Sequence, residues 1–252
     1  METPLPSVTI VVPCYNEAQR LPSEMLATFT MPERHLRFLL VNDGSTDGTI
    51  AVLEDLARRA PETIEVLDLV SNQGKAEAVR QGVMHAFQSK PDYIGFWDAD
   101  LATPLDEIAG FCDILDTRPD IQMVLGARVK LMGRAIERKA YRHYFGRVFA
   151  TAASLVLNLP IYDTQCGAKL FRGTETTCEV FETPFLSRWV FDVEIIARYK
   201  TRMGKRGRSI VPAIYERPLH QWRDIGASKV HAGDAAQAYV DLAKIFLRYR
   251  QS

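Results

Sequence analysis

Cysteine is scarce in this sequence, and the cysteines present have none of the spacings that metal or disulfide frameworks use. Four stand far apart among 252 residues, with no Cys-x-x-Cys pair: Cys14, Cys112, Cys166 and Cys178. Zinc sites and small disulfide-rich domains need cysteines at short, regular intervals. We therefore exclude both classes and interpret the four side chains as reduced thiols of a cytosolic protein.

Net charge is absent as well. The sequence carries 31 basic and 31 acidic residues, whereas domains that bind nucleic acid are typically basic, so we expect no nucleic-acid partner. No internal repeat, low-complexity tract or linker rich in proline, glycine or serine divides the chain. With 47% hydrophobic and 25% charged residues, the composition is ordinary for a globular protein, and we predict a single domain over residues 1–252.

No hydrophobic run is long enough to cross a bilayer. The longest apolar stretch, over residues 148–159, is interrupted by Thr151, Ser154 and Asn158, and it falls short of the ~20 residues that a spanning helix needs. The first residues lack the basic and apolar regions of a signal peptide. We therefore expect a cytoplasmic protein, with peripheral attachment at the inner face of the membrane as the alternative.

The sequence does contain a series of short apolar runs, several of which lead through a polar loop into a helical pattern. The runs occupy residues 8–12, 38–41, 64–69, 93–97 and 123–126. Helical patterns occupy residues 50–60, 75–87 and 104–115, the last with Thr103 and Pro104 as its N-cap and first-turn residues. This alternation predicts βαβ crossovers. The predicted fold class is therefore α/β, with a Rossmann-like, mainly parallel sheet and helices on both faces.

Two carboxylates follow the apolar run at 93–97, at the end of a strand where ligands of open α/β sheets bind. Asp98 and Asp100 are hard oxygen ligands, and Mg²⁺ is usually held by one or two carboxylates together with substrate phosphates. The pair therefore predicts a divalent cation and a diphosphate substrate. The alternative is that one of the two aspartates merely caps the next helix.

A basic block occupies residues 128–147 of this neutral sequence. It holds one acid, Glu137, and seven cations: Arg128, Lys130, Arg134, Arg138, Lys139, Arg142 and Arg147. The block indicates an anionic partner or, alternatively, a solvated helix face. Apolar residues recur at helical spacing over 137–159 and over 235–249. Core packing is the first interpretation of both helices, and contact with a membrane surface is the alternative for the first.

Four loops at successive strand ends carry short motifs, which are Val11-Val12-Pro13-Cys14-Tyr15-Asn16-Glu17, Val41-Asn42-Asp43-Gly44-Ser45-Thr46-Asp47-Gly48-Thr49, Asn72-Gln73-Gly74-Lys75 and Asp98-Ala99-Asp100. Together these motifs resemble those of the family 2 nucleotide-sugar glycosyltransferases, which have the GT-A fold. Four motifs in the right order are far more specific than any one of them alone. One departure is Asn42, which stands where the family often has a first aspartate.

The resemblance implies a nucleotide-sugar site built by these loops, with Mg²⁺ or Mn²⁺ as the cofactor. The first loop would line the uridine or guanosine pocket and the second would contact the base. The third would place a lysine near the phosphates, although exposed lysines are common at helix starts. The fourth would hold the ribose and the metal-bound diphosphate. The nucleotide-sugar residues implied are Pro13, Tyr15, Glu17, Asp43, Lys75, Asp98 and Ala99, and the implied metal ligands are Asp98 and Asp100.

The second half of the sequence contains three further segments, which are Asp163-Thr164-Gln165-Cys166-Gly167-Ala168-Lys169-Leu170-Phe171, Arg188-Trp189-Val190-Phe191-Asp192-Val193-Glu194 and Gly226-Ala227-Ser228-Lys229-Val230. These segments resemble those of a narrower group, the dolichyl-phosphate β-glucosyltransferases and their prokaryotic polyprenyl-phosphate relatives. The resemblance implies an inverting transfer of a hexose from a nucleotide sugar to polyprenyl or dolichyl phosphate. Ala102 favours glucose and UDP-glucose, since mannose-transferring relatives tend to carry glutamine there.

This narrower resemblance also implies a division of the domain. A nucleotide-binding half would cover about residues 1–103, an acceptor half about residues 104–232, and a C-terminal helix residues 233–252. Eukaryotic members carry an N-terminal membrane anchor that this sequence lacks, so the resemblance leaves peripheral membrane contact open.

The expected catalytic residues are Asp192 and Arg128. Arg128, with Arg142 and Lys229, would hold the acceptor phosphate, because arginine offers a planar fork of donors. Asp192 would orient the sugar or the acceptor, or act as a base toward a hydroxyl acceptor; alternatively it only caps a helix or forms a salt bridge. Three other functions stay open: transfer to a hydroxyl of a glycan or lipid, transfer of mannose from GDP-mannose, and nucleotide-sugar binding without catalysis.

Overall fold

The computed structural model describes residues 5–137, 140–225 and 232–250. Its strands are β1 (Ser7–Cys14), β2 (His35–Asp43), β3 (Ile64–Leu69), β4 (Tyr93–Trp97), β5 (Met123–Ala127), β6 (Ala135–Glu137), β7 (Ala168–Arg172), β8 (Ile214–Pro218) and β9 (Gln221–Arg223). Its helices are α1 (Ser23–Thr28), α2 (Thr49–Arg59), α3 (Lys75–Ala86), α4 (Glu107–Thr117), α5 (Ala140–Leu157), α6 (Glu175–Phe181), α7 (Phe191–Lys205) and α8 (Ala232–Tyr249).

Seven strands form one sheet in the order β3-β2-β1-β4-β7-β5-β8. All neighbours pair in parallel except β7, which lies antiparallel between β4 and β5. A second, two-stranded sheet pairs β6 with β9. Because β1, β2, β4 and β5 run in the same direction, the loops that follow them meet at one edge of the sheet.

Helices cover both faces of the large sheet. Alternate residues of β1 pack into two separate cores, with Val8, Ile10 and Val12 on one side and Val11 on the other. The first core lies under α1, α2 and α4, and the second under α3 and α5 to α8. A strand buried on both faces needs a continuous apolar sequence, which explains the unbroken run at 8–12. The predicted fold class, a mainly parallel sheet with helices on both faces, is confirmed. Within the described ranges, no helix is long and apolar enough to span a membrane.

Two predicted helix starts are wrong. The helix expected from Pro104 begins at Glu107, because Pro104 accepts the Glu107 N–H in a preceding turn, and no side chain caps that helix. The helix expected from Glu137 begins at Ala140, because residues Ala135–Glu137 extend as β6 to pair with β9. In both cases the apolar spacing begins before the helix does. The residues in between form a turn before α4 and a strand before α5.

Candidate active site

The site lies at the carboxyl edge of the large sheet, where β1, β2, β4 and β5 each end in a polar loop. The first two of these loops are tied together by side chains. Asn16 Oδ1 accepts the Thr46 N–H at 2.9 Å, and Ser45 Oγ accepts the Asn16 N–H at 3.0 Å. Asn16 has a φ of +51°, a conformation that asparagine tolerates better than most residues. This joint fixes Tyr15 and Glu17, both half-buried, on either side of it.

Asp43, expected to contact the base, is buried at the end of β2 and binds the loop before α3. Its carboxylate accepts the Gln73 N–H at 2.8 Å, the Gly74 N–H at 2.9 Å and the Asn72 amide at 3.0 Å. Burial raises the pKa of Asp43, although these hydrogen bonds oppose the rise. The described contacts therefore show Asp43 as an anchor of the loop, and its contact with a base stays a prediction.

Asp98 and Asp100 follow β4, and Asp98 lies against the loop that precedes β7. The Asp98 N–H donates to the Gly167 carbonyl at 3.0 Å, and a Cβ on Gly167 would stand 1.9 Å from Asp98 Oδ2, so only glycine fits there. Asp100 accepts the Ala102 N–H at 3.0 Å. Leu101, which directly follows Asp100, has a φ of +50°, a strained conformation of the kind found at functional sites. Burial, together with the charge of Asp98, raises the pKa of Asp100.

Lys75, the first residue of α3, reaches the same corner and forms an ion pair with Asp98. Burial opposes its charge, but the carboxylates of Asp98, Asp192 and Asp100 outweigh that effect and raise the pKa of Lys75. The structure therefore brings four predicted site residues together around one point. Lys75 comes from α3, Asp98 and Asp100 from the loop after β4, and Asp192 from α7.

The chemistry of this corner fits a divalent cation that is also held by its substrate. In the part of the chain that the structure describes, no group of three or more His, Cys, Asp or Glu side chains is arranged to hold a metal by itself. Two carboxylates, with the pKa of Asp100 raised by burial and by the charge of Asp98, match the incomplete ligand sets that Mg²⁺ and Mn²⁺ complete with phosphate oxygens. Asp98 and Asp100 are the residues that would hold such an ion.

Arg128, expected to hold the acceptor phosphate, is bound to a carboxylate that the sequence did not single out. Its Nε and Nη2 donate to the two oxygens of Asp163 at 2.7 and 2.9 Å, and its own N–H donates to Oδ2 at 3.1 Å. Both side chains are largely buried, and the guanidinium holds the pKa of Asp163 well below its usual range against the effect of burial. Two of the Arg128 side-chain donors are thus already bound to Asp163, and its contact with the acceptor phosphate stays a prediction.

The other two predicted phosphate ligands cannot be placed. Lys229 lies outside the described residues, and Arg142 belongs to α5, where its side chain lies outside the described part.

Asp192 lies in the first turn of α7 and pairs with Lys169, a fully buried lysine of β7. The ammonium donates to Asp192 Oδ1 at 2.5 Å and to the Cys166 carbonyl at 2.6 Å. Sequence reasoning missed Lys169 as a site residue. The available signal was its position between Ala168 and Leu170 in an apolar run, since a lysine buried in a sheet requires a charged partner.

Side chains beside this pair retain unused hydrogen-bonding capacity. Thr164 Oγ1 and Gln165 Nε2 are buried and have no hydrogen-bond partner among the described residues. They belong to the segment between Asp163 and Gly167, which joins the Arg128 contact to the Asp98 contact. Because buried polar groups usually have a hydrogen-bond partner, these two atoms are available to bind a polar ligand.

The remaining predicted residues offer little side-chain surface. Ala99 and Ala102 are buried, and Pro13 is half-buried within β1, opposite Val41. Trp222 lies under the Arg128 guanidinium, with its ring centre 5.3 Å from Cζ.

Comparison with known proteins shows what this chain is similar to. A dolichyl-phosphate beta-glucosyltransferase of Drosophila melanogaster is 32% identical, over 98% of this chain and 77% of its own length. One from Trichomonas vaginalis is 30% identical, over 96% of this chain and 71% of its own length.

Among solved structures, glucosyl-3-phosphoglycerate synthase from Mycobacterium tuberculosis, in complex with Mn²⁺, UDP-glucose and phosphoglyceric acid, superposes with a TM-score of 0.68 at 17% identity. The match covers 96% of this chain and 80% of that one, and shows the shared fold. The sequence model of glycosyl transferase family 2 matches residues 9–174. The chain belongs to this family and is a glycosyltransferase with the GT-A fold.

Proposed function

We propose that this protein is a metal-dependent, inverting hexosyltransferase that moves glucose from UDP-glucose to a polyprenyl or dolichyl phosphate. The observation that carries the proposal is the convergence of Asp98, Asp100, Lys75 and Asp192 at the carboxyl edge of the sheet. The similarity to dolichyl-phosphate glucosyltransferases over almost the whole chain supports the choice of sugar and acceptor.

The donor diphosphate would lie at Asp98 and Asp100, and the bound cation would supply Lewis-acid charge to the leaving group. Lys75 would contribute a second positive charge beside the phosphates. Because Asp98 and Asp100 follow a strand and Lys75 begins a helix, their backbones are fixed before the donor arrives. Such preorganised charge stabilises a leaving diphosphate without reorganisation during the reaction.

Transfer itself would be a single in-line displacement. An oxygen of the acceptor phosphate would form a bond to the anomeric carbon while the bond from that carbon to the donor diphosphate breaks, and UDP would leave with the bonding electrons. An acceptor phosphate is already anionic, so positioning contributes more than proton transfer. Asp192, held by Lys169, would orient the sugar, and Arg128 would shape the acceptor wall together with Arg142 and Lys229.

A transferase that uses a hydroxyl acceptor is the second candidate, and one observation favours it. Two donors of Arg128 are already bound to Asp163, which leaves fewer for a phosphate, while Asp192 could take a proton from a hydroxyl. Assays with polyprenyl phosphate and with the corresponding free alcohol separate the two candidates. UDP-glucose and GDP-mannose in parallel test the donor, and a protein that binds UDP-glucose but transfers to no acceptor would be a non-catalytic binder.

We propose that the enzyme acts in the cytoplasm or, peripherally, at the inner face of a membrane.

The test of the proposed chemistry is Asp100→Asn, assayed with radiolabelled UDP-glucose and polyprenyl phosphate, with and without EDTA. We expect transfer to fall at least about a hundredfold, the size of effect seen when one preorganised charge is removed from a site. Asp106→Asn is the matched control, because it removes the same charge from an exposed position in the same connection between β4 and α4. Transfer by Asp100→Asn equal to that of the control would reject the proposal.

A further inference from the structure

The loop between β5 and β6 presents two large apolar side chains to solvent. Leu131 is 48% exposed and Met132 is fully exposed. Gly133, with a φ of +78°, completes the turn, and the Arg134 N–H donates to the Leu131 carbonyl at 3.1 Å. The hydrogen-bonded turn holds the two apolar side chains next to each other at its tip.

The apolar tip is bordered by positive charge. Lys130 is exposed beside Leu131, whereas Arg134, which follows the turn, is half-buried and its Nη1 is buried. No acidic residue occurs between positions 128 and 136. An apolar tip flanked in the sequence by cations, one of them exposed, is complementary to a surface that is apolar inside and anionic outside, and a phospholipid bilayer has this arrangement.

The position of the loop relates this surface to the site. The loop leaves β5 at the carboxyl edge of the sheet, directly after Arg128. Met132 is four residues beyond Arg128, and a fully extended chain of that length spans about 14 Å. The apolar tip therefore cannot lie farther than this from the residue that borders the proposed acceptor wall.

The geometry points to insertion of the Leu131-Met132 tip into an anionic lipid surface, which would bring the site to the headgroup level where a polyprenyl phosphate presents its phosphate. This inference rests on the proposed function for its choice of partner. The two apolar side chains would enter the boundary between headgroups and acyl chains, while the exposed Lys130 would contact the lipid phosphates.

The experiment measures co-sedimentation of the full chain with vesicles of phosphatidylcholine, with and without phosphatidylglycerol. The double variant Leu131→Ser and Met132→Ser keeps the charge of the loop and removes its apolar surface. We expect its partition coefficient onto anionic vesicles to fall about tenfold. The control is Val211→Ser, because Val211 is 57% exposed and precedes β8, at the opposite edge of the sheet.

Activity then separates this inference from the proposed function. With acceptor embedded in vesicles, transfer by the double variant should fall in proportion to its binding. With a water-soluble, short-chain polyprenyl phosphate it should equal that of the unmodified protein. If the unmodified protein transfers to neither acceptor, the proposed function fails, and vesicle binding still decides the role of the loop. Unchanged vesicle binding by the double variant overturns the inference. A double variant that differs only in its sedimentation velocity without vesicles also overturns it, because that result would show that a second copy of the chain covers the tip.

Discussion

The buried pair of Lys169 and Asp192 is a residue-scale feature with a large energetic consequence. Removing one member of such a pair leaves an uncompensated charge in the protein interior and destabilises by about 3–5 kcal/mol. We therefore expect Lys169→Met to lower the free energy of unfolding by this amount in urea denaturation. The double variant Lys169→Met with Asp192→Leu should recover most of the loss. A Lys169→Met protein as stable as the unmodified one would contradict the pairing.

Site residues that follow a strand or open a helix were predictable, whereas their partners were not. Asp98 and Asp100 could be located because an apolar run ends directly before them. Lys169 and Asp163 were missed because their importance depends on long-range pairing, since β7 enters the sheet antiparallel between β4 and β5. No local sequence pattern predicts that β7 lies antiparallel between those two strands.

At the scale of elements, α3 lies so close to the sheet that only glycine fits at its contact. A Cβ on Gly82 would stand 2.5 Å from a methyl group of Val11 and 2.8 Å from one of Val41. Replacing an exposed helical glycine by alanine usually stabilises by about 1 kcal/mol. Here we expect Gly82→Ala to destabilise by roughly 1–3 kcal/mol through overpacking, and to weaken donor binding because α3 carries Lys75.

Thermal unfolding and UDP-glucose titration of Gly82→Ala check both parts of this prediction. Gly204→Ala in α7 is the control, since no atom lies within 4 Å of the Cβ it would add. A melting temperature raised by Gly82→Ala would show that α3 is farther from the sheet than described.

Elements with their own periodicity were predicted well, and elements that depend on a distant partner were not. The apolar runs at 64–69 and 93–97 coincide with β3 and β4, residue for residue. The three residues of β6 show no strand pattern of their own, and they extend because Ile136 pairs with Trp222, far along the chain. That pairing is also why α5 begins later than its apolar spacing indicated.

At the scale of the whole molecule, the contact between Arg128 and Asp163 makes stability depend on pH. The folded pKa of Asp163 is far below its ordinary value of 3.8. Its contribution to stability is therefore complete above that value and is lost as the pH falls toward the folded pKa, because only the unfolded chain takes up the proton. We expect the stability difference between the unmodified protein and Asp163→Asn to shrink between about pH 5 and about pH 2. Urea denaturation across this range measures it, and a constant difference would contradict the assignment.

The whole-molecule architecture was the most predictable level, because a mainly parallel sheet covered on both faces follows from alternating apolar runs and helical patterns. The family match over residues 9–174 agrees with it. Similarity to the dolichyl-phosphate glucosyltransferases extends further, over nearly the entire chain, so the part beyond the family match also has counterparts in those relatives.

Calorimetric titration of UDP-glucose, with and without Mn²⁺, tests most directly whether Asp98 and Asp100 bind the donor through a divalent cation. We expect Mn²⁺ to tighten UDP-glucose binding to the unmodified protein and to Asp106→Asn by at least about tenfold, and Asp100→Asn to abolish this dependence on metal. Equal UDP-glucose affinity with and without Mn²⁺ in the unmodified protein would contradict it.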